Sequence, residues 1–407
     1  VSVASFFKAR LYACLLLNFT PFFYLGGSIF GFNLPFICHF ILLGYLILYS
    51  IYQENIFKAL LNRVELKALT IFYVILFINH VTIGSSFKRD PFDDSLLPIL
   101  FLIIIFSTCQ LMINQKFNFD YLLNCLRKVI WLNIISGGYT LVFSGMTLHD
   151  TIYLTSFNDQ VAFNSNEFAI QCVFIIIIEL YFLRNEYVYK NIIILFPVYC
   201  CLQTYSRSGV MALVLVIIYW TIFNKNFIKS LGQLLLLSSS LILFNIDYLI
   251  ERFSHVFLSY DFTGGFSTLV RFQFMMRAIY MFLDNPIFGT GVGTYWMYRY
   301  AYPQFIPLLG NSDSFKDSHN LYAQILAETG LIGGALFFYF LYRIFKNIRS
   351  FKFLNFDIYR LLMSIFILYL FGGLFSHDKF KIYLFLPLIL SSFFFKDYFY
   401  QKYKINI

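Results

Sequence analysis

A histidine, three arginines and a glutamate hold most of the chemistry this chain can offer. In "DSHNLYAQILAETGLIGG", residues 317–334, His319 stands at the expected start of a helix, with Asp317 or Ser318 as its cap. A helix N-terminus carries partial positive charge and free N–H groups. It suits an anionic phosphate and disfavours an imidazolium, so His319 is expected to be neutral and able to act as a base near neutral pH. The plain alternative is an interfacial histidine without a role. On a helical projection Ala323, Ala327, Gly330 and Gly334 fall within about 80° of His319, a small-residue groove for a neighbouring helix or a lipid tail. Glu328 projects about 180° away, so it is expected to pair with an arginine or a backbone group and not to orient His319 directly.

The second stretch is "TYSRSGVMA", residues 204–212. The apolar runs on either side, 191–205 and 209–223, are short for two full membrane spans, which need about 20 residues each. The turn Ser206-Arg207-Ser208-Gly209 is therefore expected below the outer surface, in a protein-lined and water-accessible cavity. An arginine at that depth reads as functional. A snorkelling arginine at an ordinary loop is the other reading.

The third is "STLVRFQFMMRAIYMFLDNPIFGTGVGTY", residues 267–295. It reads as an amphipathic helix on a membrane surface, ended by Asp284-Asn285-Pro286. Arg271 and Arg277 lie about 240° apart around it, so one is expected to serve a site while the other touches lipid headgroups. Glycines 289, 291 and 293 have GxGxG spacing, with no strand before them and no acidic partner after. They are not a dinucleotide fingerprint and fit a tight turn against the membrane.

These stretches need a scaffold, and the composition names it. Of 407 residues, 59% are hydrophobic and 13% charged, about half the charge of a soluble domain. Apolar runs recur from end to end, giving about twelve spans at 11–30, 34–52, 68–85, 95–114, 129–147, 164–183, 191–205, 209–223, 231–247, 319–342, 358–376 and 382–395. The chain, 1–407, reads as one all-α polytopic membrane domain. Alternate loops carry Lys58/Arg63/Lys67, Lys116/Arg127/Lys128, Arg184/Lys190, Lys225/Lys229 and Arg343/Lys346/Arg349/Lys352, which places that side and both termini in the cytoplasm. The long loop at 248–318 then lies outside, and loops of that length are usually functional.

The net charge of +9 alternates with the spans and gives no reason to invoke nucleic acid. Lys8 and Arg10 lead straight into a span, with no small-residue cleavage site. Of the seven cysteines only Cys125 falls outside a span, on the cytoplasmic side, so no structural disulfide is expected. No His/Cys cluster has metal spacing.

Taken in order, the three stretches resemble the O-antigen ligase/polymerase superfamily of bacterial inner-membrane glycosyltransferases. The resemblance rests on the "SRSG" turn, on Arg271, Ala278, Pro286, Gly289 and Gly291, and on "SHNLYAQILAETGLIGG", about 204–334. Met275 stands where the family often carries Trp. The resemblance implies a GT-C-like membrane fold and metal-independent transfer, without cofactor, of a glycan from undecaprenyl pyrophosphate on the periplasmic side. It implies Arg207 and Arg271 as holders of the pyrophosphate and His319 as the group assisting the acceptor hydroxyl. Arg277, Ser206, Asn320 and Gly330 are further candidates for substrate or lipid contact, and Glu328, Gly289 and Gly291 for support. Implied partners are the lipid-linked glycan, membrane lipids and a chain-length regulator. A polymerase joining repeat units is the preferred reading, supported by the Phe/Ile/Tyr/Lys/Asn-rich composition. A ligase acting on lipid A–core is the alternative. A flippase for the same lipid is the reading from another class, and it lacks the expected repeat symmetry.

Overall fold

The computed structural model describes residues 165–183, 187–204, 206–223, 265–291 and 318–375, with isolated positions in 68–78, 120–135 and 294–302 and at 388. Six helices run through the continuous stretches: α1 Ser165–Phe182, α2 Tyr187–Gln203, α3 Arg207–Ile222, α4 Gly265–Asp284, α5 Leu321–Leu354 and α6 Phe356–Phe375. Among the described residues there is no strand.

Helix α1 is apolar on every side, and the fold wraps it accordingly. Every residue from Phe168 to Glu179 is buried, with α2, α3 and α6 packed around it. The close approach of α3 depends on Gly209, where a Cβ would overlap that of Ala169. Glu179 is the charged residue within that buried stretch of α1. It is fully buried, and it accepts bonds from Arg127 Nε at 2.5 Å, Arg127 Nη2 at 2.8 Å and Trp131 Nε1 at 2.7 Å. Both oxygens of the carboxylate are thereby engaged by one guanidinium edge, the arrangement a buried ion pair needs.

Helices α5 and α6 are long and apolar enough to cross a membrane; α1, α2 and α3 contain shorter apolar stretches. With the composition of the whole chain, these helices describe an all-α membrane protein. Helices α2 and α3 have 17 and 16 residues, about 25 Å each, short of the ~30 Å hydrocarbon core as expected for that hairpin. Helix α5 has 34 residues, about 51 Å if unbroken. It is broken at Gly330, whose φ of 63° and ψ of −163° are not helical.

Two expected boundaries move. Helix α5 continues to Leu354, so Arg343, Lys346, Arg349 and Lys352 lie on its last turns and not in a loop. Helix α2 starts at Tyr187, which places Lys190 in its first turn. The expected spans 11–30, 34–52, 95–114 and 231–247 lie outside the described residues. Spans 68–85, 129–147 and 382–395 are met only at isolated helical positions.

The direction of packing follows from a few contacts. At the start of α6, Arg360 donates to the Phe223 carbonyl at 3.4 Å and stacks over Trp220 at 4.3 Å, both at the end of α3. Helices α3 and α6 are therefore antiparallel. At the far end of α6, the Leu370 carbonyl accepts from Tyr322 Oη at 2.7 Å and the Leu374 carbonyl from Asn320 Nδ2 at 3.4 Å. The first residues of α3 and α5, Arg207 and Leu321, thus lie at the same end of the bundle.

Candidate functional site

At that end, His319 does not begin a helix. Asn320 is the N-cap of α5, and its side chain accepts from Ala323 N at 3.0 Å. His319 precedes it in the left-handed region, with φ 52°. Asn is as good a cap as Ser or Asp, and a residue outside the helix need not keep helical angles. The expected capping by Ser318 is overturned, and Asp317 lies outside the described residues. Asn320, a candidate for substrate contact, is in use as the cap. Its amide also meets Met275 Sδ at 3.8 Å.

Helix α4 brings its arginines to this turn. The ring of Phe274 stacks on the His319 imidazole, with centroids 6.1 Å apart and planes 23° apart. Arg271 precedes Phe274 by three residues and Arg277 follows it by three, so both are one-turn neighbours of that ring. Their 240° of rotation is about 120° the short way round, and Phe274 bisects it. Both arginines thus flank the ring that stacks on His319. Arg271 is half-buried on α4.

Arg277 is almost fully buried, with 2% exposure. Its guanidinium carbon sits 4.2 Å from the ring centre of Tyr295 and 5.1 Å from that of Phe274. Tyr295 also donates its hydroxyl to the Phe274 backbone carbonyl at 2.7 Å, which ties its ring to α4. Tyr295 and Phe274 thus both lie against Arg277, and Phe274 also meets His319. Both rings lie against the guanidinium, while among the described residues Nε and Nη2 have no hydrogen-bond partner. Those two atoms form the side edge of the guanidinium, the fork that takes two oxygens of a carboxylate or phosphate. Arg127 presents the same edge to Glu179. A lipid-headgroup anchor would sit at the surface; Arg277 does not.

The glycine loop has a different task from the expected turn against the membrane. It fills the break in α5. Thr290 N donates to the Ala327 carbonyl at 2.9 Å and Gly291 N to the Glu328 carbonyl at 2.9 Å. Leu331 N donates to the Pro286 carbonyl at 2.8 Å and Ile332 N to the Ile287 carbonyl at 3.3 Å. Backbone groups orphaned by the break are thus satisfied by the loop. Gly289, at φ 73°, passes so close that a Cβ would lie 2.5 Å from the Glu328 carbonyl oxygen. Gly330 is equally confined, with Ile287 C 2.5 Å and Gly289 N 2.6 Å from where its Cβ would be. Gly330 is thereby confined by the backbone of the glycine loop.

The small-residue stripe is also occupied. Ala327 is buried with Phe274, Ala278, Met281, Tyr295 and Tyr302, and Ala323 packs on that cluster. Of the two expected occupants, a helix and a lipid tail, it is helix α4 that fills this part of the groove. Nearby, Tyr302 donates its hydroxyl to Asp284. Burial, and after it the bond to Asp284, pushes its phenol above the usual range, so Tyr302 stays a neutral donor.

Ser206 is buried and caps α3, accepting from Gly209 N at 3.0 Å, with the Ser208 hydroxyl 3.0 Å away. Arg207 is the first residue of α3, so Ser208 and Gly209 lie inside the helix and not in the turn. Glu328 is fully buried and accepts from Gln324 Nε2 at 3.1 Å. Phe274, Tyr295 and Gln324 were not singled out in the sequence. The first carried a signal, an aromatic residue three positions from each of two arginines.

Among the described residues no group of His, Cys, Asp and Glu could hold a metal ion. Of the cysteines, Cys172, Cys200 and Cys201 are buried and free. Residues 192–338, from α2 to the first half of α5, match a protein family described as O-antigen ligase. That interval holds the SRSG turn, the glycine loop and the His319 turn together. No curated protein matches the chain.

Proposed function

From a chain whose residues 192–338 match the O-antigen ligase family, we propose an inner-membrane glycosyltransferase that acts on a glycan carried by undecaprenyl pyrophosphate. The family match supports a function of the O-antigen ligase/polymerase type and lipid-linked glycan substrates in membranes. The finer reading is a polymerase on the periplasmic side. An acceptor hydroxyl attacks the anomeric carbon of the donor. The bond from that carbon to the diphosphate oxygen breaks, and undecaprenyl pyrophosphate leaves. His319 takes the hydroxyl proton as general base. Arg271, Arg207 and Arg277 stabilise the charge on the leaving diphosphate, with no metal needed for it.

The observation that carries this reading is the pairing of His319 with Arg277 through Phe274. A neutral base and a bidentate cation stand one aromatic ring apart, which suits proton removal beside a departing anion. A buried guanidinium with an unused fork is costly alone and favourable beside a diphosphate. The ligase reading is kept because the matched family is described by that name.

The test is a deletion strain complemented with wild-type or His319→Ala chain and viewed on a lipopolysaccharide gel. Core bearing a single repeat in the deletion means polymerase. Bare core with polymer accumulating on the lipid means ligase. Repeats trapped on the cytoplasmic face mean a flippase and end the proposal. Full activity of His319→Ala would remove the base assignment.

A further inference from the structure

The turn that carries His319 is braced from behind by a line of buried polar groups. Ser318 is fully buried; its backbone N–H donates to Gln324 Oε1 at 3.4 Å, and its hydroxyl lies 3.3 Å from the same oxygen. Gln324, itself buried, donates from Nε2 to Glu328 Oε1 at 3.1 Å. The Ser318 hydroxyl also bridges the turn, donating to the Asn320 carbonyl at 2.7 Å and accepting from Asn320 N at 3.2 Å. Both neighbours of His319 are therefore held by one hydroxyl, and that hydroxyl and the N–H of its own residue face the Gln324 amide.

The chemistry of the line allows one orientation. A backbone N–H only donates, so Gln324 must turn its oxygen toward Ser318 and its NH2 toward Glu328. Glu328 is anchored in turn, since its carbonyl accepts from Gly291 N in the clasp. The turn needs such a brace. A histidine at φ 52° sits in a region that costs a residue with a Cβ about 1–2 kcal/mol.

We propose that Gln324 is a positioning residue: it fixes the left-handed turn that aims His319, and it couples that turn through Glu328 to the glycine clasp that follows α4. The inference rests on His319 acting as the base. Glu328 thus bears on His319 after all, through Gln324 and Ser318 and not by direct contact. Among the described residues the charged group within the line is Glu328 on α5; on α4, Arg277 lies against the Phe274 ring that stacks on His319, and Arg271 is one turn before that ring.

The test uses full-length protein in detergent, with the lipid-linked repeat as substrate. Gln324→Met removes both bonds at similar volume. The expected result is a loss of about tenfold or more in kcat, as for a base misplaced by a fraction of an ångström to an ångström, with KM for the donor within twofold. Wild-type kcat in Gln324→Met, with His319→Ala inactive, overturns the positioning role and leaves the base reading intact. Activity in His319→Ala removes the base reading itself, and the inference with it. Gln324→Glu decides the matter if the Met variant does not fold. A carboxyl there can donate to Glu328 only while it keeps its proton, so its pH–kcat profile is expected to be displaced toward acid. A profile superimposable on the wild type overturns the proposal.

Discussion

Replacing Gly330 by alanine tests the clasp that holds α4 against α5. The residue has φ 63°, and a Cβ there would lie 2.5 Å from Ile287 C and 2.6 Å from Gly289 N. Those are backbone atoms, so no side chain can swing aside. The left-handed conformation costs alanine about 1–2 kcal/mol. The overlap must be relieved by withdrawing the loop, which loosens the bonds from Leu331 N at 2.8 Å and Ile332 N at 3.3 Å, each worth about 1 kcal/mol. The sum is about 3–4 kcal/mol. For a chain of this length the usual entropy of unfolding per residue converts that to a fall of about 4 °C in melting temperature.

Two other glycines calibrate the measurement. At Gly334 the nearest atom is Leu326 Cδ2, 2.6 Å from the added Cβ, and that side chain can move. At Gly372 nothing among the described residues lies within 4 Å of an added Cβ, so alanine there gains helix propensity of up to about 1 kcal/mol. The assay is thermal unfolding of the purified full-length protein, followed by loss of the monodisperse gel-filtration peak. The expected order of stability is Gly372→Ala highest, then Gly334→Ala, with Gly330→Ala lowest. Gly330→Ala melting within a degree of Gly372→Ala would refute the clasp.

Arg277→Lys keeps the charge but loses the fork, and transfer is expected to fall at least as far as in Arg271→Lys; an unaffected Arg277→Lys would return the anion to Arg271. Arg127→Met strands the buried Glu179 carboxylate and is expected to cost about 3 kcal/mol or more of stability, read by the same melting assay, with the rate per folded molecule unchanged. Chelation by EDTA is expected to leave the transfer rate unchanged, and a rate restored only by added divalent metal would contradict metal-independent transfer.

The sequence by itself determined the class of the molecule. Apolar runs can be read without a fold, because a hydrophobic helix is set by neighbours three and four residues away. The helices from Ser165 to Phe182, Tyr187 to Gln203, Arg207 to Ile222 and Gly265 to Asp284 fall close to where those runs place them. The three motif stretches likewise coincide with the SRSG turn, the clasp loop and the His319 turn.

What failed was projection along an assumed helix. His319 and Gly330 both have positive φ, so angles counted from the one, or past the other, do not follow a continuous helix, although Leu321 to Thr329 are helical. The fate of Arg277 was beyond any periodicity. Its cover comes from Tyr295, eighteen positions on and past the clasp. Such pairings between distant segments depend on how a loop returns to a helix, and only the tertiary structure decides that. The same holds for Glu328: local geometry turned it away from His319, and the buried amide of Gln324 connects it back.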